Sequence, residues 1–143
     1  TEDGREFPVS NLHRPAADAS GLPEKAEKVI QKDLSFASMS VTVMDVGEDC
    51  LLLLQGGSRP HIGCTVLAVP RPSLKNPEET SSTASVLNVS GHKDEYLCRY
   101  LAEKTAARTG KVTVCTGGFH TDHITEEQIR EVMAAMEEIL ASL

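Results

Sequence analysis

The chain of 143 residues contains no tryptophan, three phenylalanines and two tyrosines. So few stacking platforms remove the usual means of holding single-stranded nucleic acid. Basic clusters are missing as well: 14 Lys and Arg against 21 Asp and Glu leave a formal net charge of −7, the wrong sign for neutralising a phosphate backbone. No apolar stretch nears the roughly 20 residues that a bilayer crossing needs, and the sequence opens without the apolar core of a signal peptide. The expected partners are small molecules and proteins, with no nucleic acid and no membrane, and the expected location is the cytoplasm. Cys50, Cys64, Cys98 and Cys115 stand in apolar runs at long, irregular spacings. They lack the pairing of a zinc ribbon or a secreted disulfide framework, so buried thiols are expected.

What is present is enough apolar sequence for one core. Residues 1–22 mix acids, Pro, Ala, Ser and Gly without hydrophobic period, and the Pro-Glu-Lys-Ala-Glu-Lys run that follows reads as a short helix over 23–32. Residues 1–35 are therefore expected to form an N-terminal arm with a short helix, and 36–143 a single α+β cofactor-binding domain. Alternation through Met39, Val41 and Val43 marks a strand, with Met44 and Val46 breaking the parity as a bulge would. A second strand over 50–55 is apolar on both faces and belongs at the sheet's centre. A third starts at His61. Three prolines predict a surface loop over 70–81, followed by a strand over 83–89. A helix is expected over about 93–109 with Gly110 as its stop, its buried face being Leu97, Tyr100, Leu101 and Thr105. A strand over 111–116 then ends at Gly117-Gly118. The last helix begins at Thr125 with the capping box Thr125-x-x-Gln128 and carries the stripe Ile129, Val132, Met133, Met136, Ile139, Leu140 and Leu143. The predicted architecture is α+β: a mainly antiparallel sheet in the order ββββαβα, helices packed on one face. A homodimer is a secondary expectation from the sheet edges, which need cover.

The chemistry gathers in glycine-flanked turns at the strand ends: Pro60-His61-Ile62-Gly63, Gly91-His92-Lys93-Asp94-Glu95 and Gly118-Phe119-His120-Thr121-Asp122-His123. Imidazole is the common nitrogen ligand for transition metals, and His61, His120 and His123 stand with carboxylates at Asp94, Glu95 and Asp122, a mixed set that suits a divalent metal. The same turns read equally as anion sites. Gly56-Gly57, Gly91 and Gly117-Gly118 can aim successive N–H groups at one phosphate, with Arg59 and Lys93 adding charge-assisted hydrogen bonds. Ordinary turn chemistry is the plain alternative, and His13 in the polar arm is assigned to it. Ser90, Thr121 and the cysteines form no nucleophile-base set with recognisable spacing.

Three runs in this order, Gly56-Gly57-Ser58-Arg59-Pro60-His61-Ile62-Gly63, Gly91-His92-Lys93-Asp94-Glu95 and Gly118-Phe119-His120-Thr121-Asp122-His123-Ile124, resemble the signature of the LpdD-like prenylated flavin chaperones over residues 38–143. The resemblance implies a binding role without turnover: prenylated FMN is held with its phosphate on a divalent cation of unspecified identity, and passed to a UbiD-type decarboxylase of aromatic acids. It implies His61, His92 and His120 as the metal or phosphate site, with Gly57, Arg59, Gly63, Gly91, Lys93, Gly118 and Asp122 around the cofactor. Phe119 stands where the family leads one to expect a smaller aliphatic residue, and Asp94 where it suggests Glu. Two other functions stay open at this level: a small metal-dependent hydrolase or lyase that activates water on a His/carboxylate site, and a non-catalytic decarboxylase subunit.

Overall fold

The computed structural model describes residues 27–89 and 95–143. Six strands and two helices follow in the order β1 (Glu27–Asp33), β2 (Ser38–Val46), β3 (Asp49–Gly57), β4 (Cys64–Pro72), β5 (Thr80–Asn88), α1 (Glu95–Thr109), β6 (Thr113–His120) and α2 (Glu126–Ala141). The sheet runs β1-β2-β3-β6-β4-β5. Every pairing is antiparallel except that of β3 with β6, so the α+β class and the mainly antiparallel sheet hold, within a mixed sheet that has one strand more than ββββαβα.

The extra strand replaces the helix expected over 23–32; residues 23–26 lie outside the described part. Glu-Lys-rich sequence favours helix locally, but pairing with β2 along all seven residues of β1 outweighs a preference of tenths of a kcal/mol per residue. Its charges suit an edge strand, where they oppose pairing with another chain.

Other boundaries shift for identifiable reasons. β4 continues through Pro70 and Pro72, shortening the expected loop over 70–81 to residues 73–79. Beyond Ala68 this strand pairs with β5 alone, so its second edge needs no N–H donor there. β4 starts at Cys64 and leaves His61 in the preceding loop. β6 does not stop at Gly117-Gly118; it carries both glycines inside the ladder to His120. The expected bulge is absent as well, since Met44 and Val46 pair in unbroken register with Leu51 and Asp49 and belong to the sheet's other face.

Strand alternation makes one face of the sheet the core. Across it run Ile30, Val41, Leu54, Gly117 and Cys64 in one row, and Val43, Leu52, Cys115, Val66 and Val86 in the next. Both helices lie on this side. α1 buries Cys98, Leu101, Ala102, Thr105 and Ala106, with Leu97 and Tyr100 at the margin, and packs on β4, β5 and β6. α2 buries Val132, Ala135, Met136, Ile139 and Leu140, while Ile129 and Leu143 of the expected stripe are exposed. Lys28 Nζ donates to Ser142 O, Lys32 pairs with Glu138 at 2.9 Å and Ser35 donates to Glu131, tying α2 to β1 and the β1–β2 turn. The Thr125–Gln128 capping box forms as the sequence predicts. All four cysteines are buried as thiols. Among the described residues no helix is long and apolar enough to cross a membrane.

Candidate functional site

β3 and β6 are the central, parallel pair, and their carboxyl ends finish side by side with Gly57 opposite His120. In open sheets, ligands favour the space beyond such ends. The approach depends on glycine. Gly57 has φ 78°, and a Cβ there would stand 1.9 Å from His120 O; Gly117 has φ 125°, and a Cβ would stand 1.8 Å from Leu54 O. No other residue fits either position without moving a central strand.

Residues 58–63 then cross the end of β6. Ser58 N donates to His120 O at 2.7 Å, and Gly63 N donates to Gly117 O at 2.9 Å. These bonds hold the loop so that the His61 and His120 rings meet edge to face, centroids 6.2 Å apart and planes at 83°. His61 Nδ1 lies 3.0 Å from Arg59 O and donates to that carbonyl, the tautomer in which Nε2 carries the lone pair that a metal or a phosphate proton engages. His120 Nε2 donates to Asp122 Oδ1 at 2.8 Å, which orients the ring; in the neutral imidazole Nδ1 is then the acceptor nitrogen. That hydrogen bond, reinforced by the charges of His120, Arg59 and His123, holds the Asp122 carboxyl below its ordinary value of 3.8. Arg59, Pro60, His61 and His120 line a hollow of about 230 Å³. A second hollow of about 230 Å³ also reaches Pro60 and is lined by Gln31, Ser40, Gln55 and Gly57 among others. Between His120 and Asp122 the Thr121 Oγ1 is buried without a hydrogen-bond partner among the described residues.

Of the residues singled out in the sequence, the structure gathers Gly57, Arg59, His61, His120 and Asp122 at one sheet end. Gly63 and Gly118 serve as backbone supports, Gly63 accepting from Val89 N at 2.8 Å and Gly118 standing opposite Gln55. Gly91, His92, Lys93 and Asp94 lie outside the described residues, as does the helix start expected there. Asn88 Nδ2 donates to Glu95 Oε2 at 2.9 Å. His123, at φ 55°, is exposed in the turn before α2. Phe119 is buried against Phe36, centroids 6.2 Å apart, on the opposite side of β6 from His120 by strand alternation. Among the described residues no three His, Cys, Asp or Glu side chains converge as a metal set. Sequence reasoning missed Gln31, Ser40 and Gln55; for Ser40 and Gln55 a polar position beside apolar ones was the available signal, whereas Gln31 stands in the charged run EKVIQKD, which offered none.

No curated protein matches the chain. Among solved structures, a crystal structure of a chaperone complex for yeast 20S proteasome assembly is similar at 13% identity and TM-score 0.48, covering 80% of this chain and 93% of that one. The model of the prenylated flavin chaperone LpdD-like domain matches residues 35–143, which take in the whole sheet from β2 onward, both helices and every residue of the histidine site, and the chain belongs to that family.

Proposed function

We propose that the chain holds prenylated FMN at the carboxyl ends of β3 and β6 and delivers it to a UbiD-type aromatic acid decarboxylase, without turning anything over itself. The observation that carries this reading is the meeting of His61 and His120 beside Arg59, inside a chain of the flavin chaperone family. The donor set suits the phosphate end of the cofactor. It offers one guanidinium and two oriented imidazoles. The hollow they line is smaller than the roughly 300–1,000 Å³ of pockets that enclose a whole ligand, which agrees with gripping one end of a large molecule. Gln31, Ser40 and Gln55 in the adjoining hollow supply amide and hydroxyl partners for the edge of a flavin ring.

A divalent cation fits here only as a shared ion. Two imidazoles do not complete a coordination shell, so phosphate oxygens would supply further ligands, and metal and cofactor would each raise the affinity of the other by the same factor. The test is titration of the purified protein with prenylated FMN, followed by absorbance and fluorescence, with and without chelator. Binding that weakens in chelator is expected, and His61→Ala or His120→Ala should weaken it by about tenfold or more with the melting temperature kept. No spectral change under either condition overturns the reading. Activation of apo-decarboxylase by the loaded protein, compared with free cofactor, tests delivery separately.

A further inference from the structure

The helix-covered face of the sheet is not filled at the end away from the histidines. There a hollow of about 350 Å³ is walled by Val43 and Cys50 from the sheet, Thr105 and Thr109 from α1 and Leu143 after α2. Its size falls within the roughly 300–1,000 Å³ of ligand pockets, and an apolar cavity of about 150 Å³ already accepts benzene. Burial, the largest influence on the Cys50 thiol, pushes it above its ordinary value of 9.0, so at neutral pH it is an uncharged wall and no nucleophile. Charge at the mouth cancels, Glu27 and Asp45 standing with Lys28 and Lys111. Lys28 Nζ already donates to Ser142 O at 2.8 Å, and Lys111 stands 3.8 Å from Asp45. The carboxyl ends of both helices border the hollow, and their partial negative charge offsets the donors that the two ammoniums have left. Deeper in, one polar atom is left over. Thr105 is 2% exposed, and its Oγ1 has no hydrogen-bond partner among the described residues. A helical threonine ordinarily settles its hydroxyl on a carbonyl one turn back, as Thr109 does on Thr105 O at 2.6 Å. A buried hydroxyl left unpaired is costly.

We propose that this hollow is a second binding site, taking a small uncharged molecule with an apolar body and one hydroxyl that pairs with Thr105. Val43, Cys50 and Leu143 take the apolar body. An ion is disfavoured, because the lining has no net charge to offset the loss of its hydration. A hydroxyl on the ligand is both donor and acceptor, so it pairs with the Thr105 hydroxyl whichever way that proton turns. Cys50 stands seven residues before Gly57 on β3, about 23 Å along the strand at 3.3 Å per residue. A molecule of this size therefore leaves the histidine end untouched, and the proposal does not rest on the flavin reading.

The test uses the full chain without flavin or metal and takes naphthol, a neutral bicyclic molecule with one hydroxyl, as probe. Calorimetry and probe fluorescence should show binding about fivefold or more tighter than that of naphthalene, which lacks the hydroxyl, or naphthoate, which carries a charge. Cys50 supplies a local reporter. It is 7% exposed while Cys64, Cys98 and Cys115 are at 1% or less, so a thiol reagent should reach it first, and bound naphthol should slow that reaction. Thr105→Val keeps the side-chain shape and removes the unpaired oxygen. Affinity for naphthol should fall about fivefold, the scale of one hydrogen bond, with the melting temperature kept or raised. A hydroxyl with a structural role alone would lower the melting temperature and leave the affinity as it is, which overturns the proposal. Absence of binding, the result if water or residues 1–26 fill the hollow, overturns it too, as does naphthalene or naphthoate binding as tightly as naphthol, or Cys50 labelling that naphthol does not slow.

Discussion

The two ends of the central strands use glycine for different purposes. At the hairpin end, Gly47 between β2 and β3 and Gly110 after α1 sit at φ 61° and 69°, and a Cβ on either would meet nothing within 4 Å. They serve the local turn of the chain and nothing else. At the histidine end, Gly57 and Gly117 are pressed against backbone of the neighbouring strand. Volume points the other way: the larger hollow, about 350 Å³, lies at the hairpin end and is lined by Lys28, Cys50, Thr105 and Lys111 among others. Its lysines already serve the fold, Lys28 closing the end of α2 at Ser142 O and Lys111 standing 3.8 Å from Asp45. We place the function at the smaller hollow because backbone contact that only glycine permits, and side chains held toward one point, occur together there.

Gly117→Ala should produce the largest effect. It adds a methyl to a central strand where Leu54 O already stands, at a φ that L residues rarely adopt. Strain and displacement together are expected to cost about 3 kcal/mol or more. Denaturant unfolding measures this, and a loss under about 1 kcal/mol would show that the strands yield and that the contact does not organise the site. Thr125→Ala comes next. It removes the cap that starts α2 just after the histidine turn and should cost about 1 kcal/mol, with the His61–His120 geometry unchanged. A large change in cofactor affinity in this variant would mean that the helix start, more than the glycine contacts, positions the imidazoles.

A third variant, His120→Ala, probes the charge side of the same end. The Asp122 carboxyl titrates below 3.8 because His120 donates to it, so in the variant its midpoint, followed by NMR, should move up toward that value. A depressed carboxyl contributes stability that is present above its unfolded value and lost as pH falls through the folded one. Any stability gap between variant and wild type should therefore close below pH 3.8. The size of the gap is small, since the pair is solvent-exposed and screened. A midpoint unmoved in the variant would break the assigned pairing.

The sequence carried most of this end of the molecule and less of the other parts. Gly57, Arg59, His61, His120 and Asp122 were legible because residue types with distinct chemistry sit beside glycines that few other roles explain. The capping box at Thr125 and the central place of β3 were legible for the same local reasons. β1 was not: its Glu-Lys run has helical preference, and only pairing with β2, a contact between separate segments, makes it a strand. The run of β6 through Gly117-Gly118 was hidden because glycine marks a turn locally, and its use for close approach depends on Leu54 across the sheet. Met44 and Val46 looked like a break in parity because a one-sided sheet was assumed; the open apolar face gives them a regular place.

The smallest expected effect completes the contrast and is its most sensitive control. Gly47 needs a left-handed backbone and nothing more, since its Cβ direction is open. Asn tolerates that conformation better than other side chains, its short amide bonding locally to the turn. Gly47→Asn should therefore change stability by no more than about 0.5 kcal/mol and leave cofactor affinity as it is, while Gly47→Ala should cost about 1 kcal/mol through backbone strain alone. Both are measurable by denaturant unfolding beside Gly117→Ala. If the Asn variant instead loses stability on the scale of Gly117→Ala, the hairpin end is as tightly bound into the fold as the histidine end. Glycine contact would then no longer distinguish the functional end of the sheet.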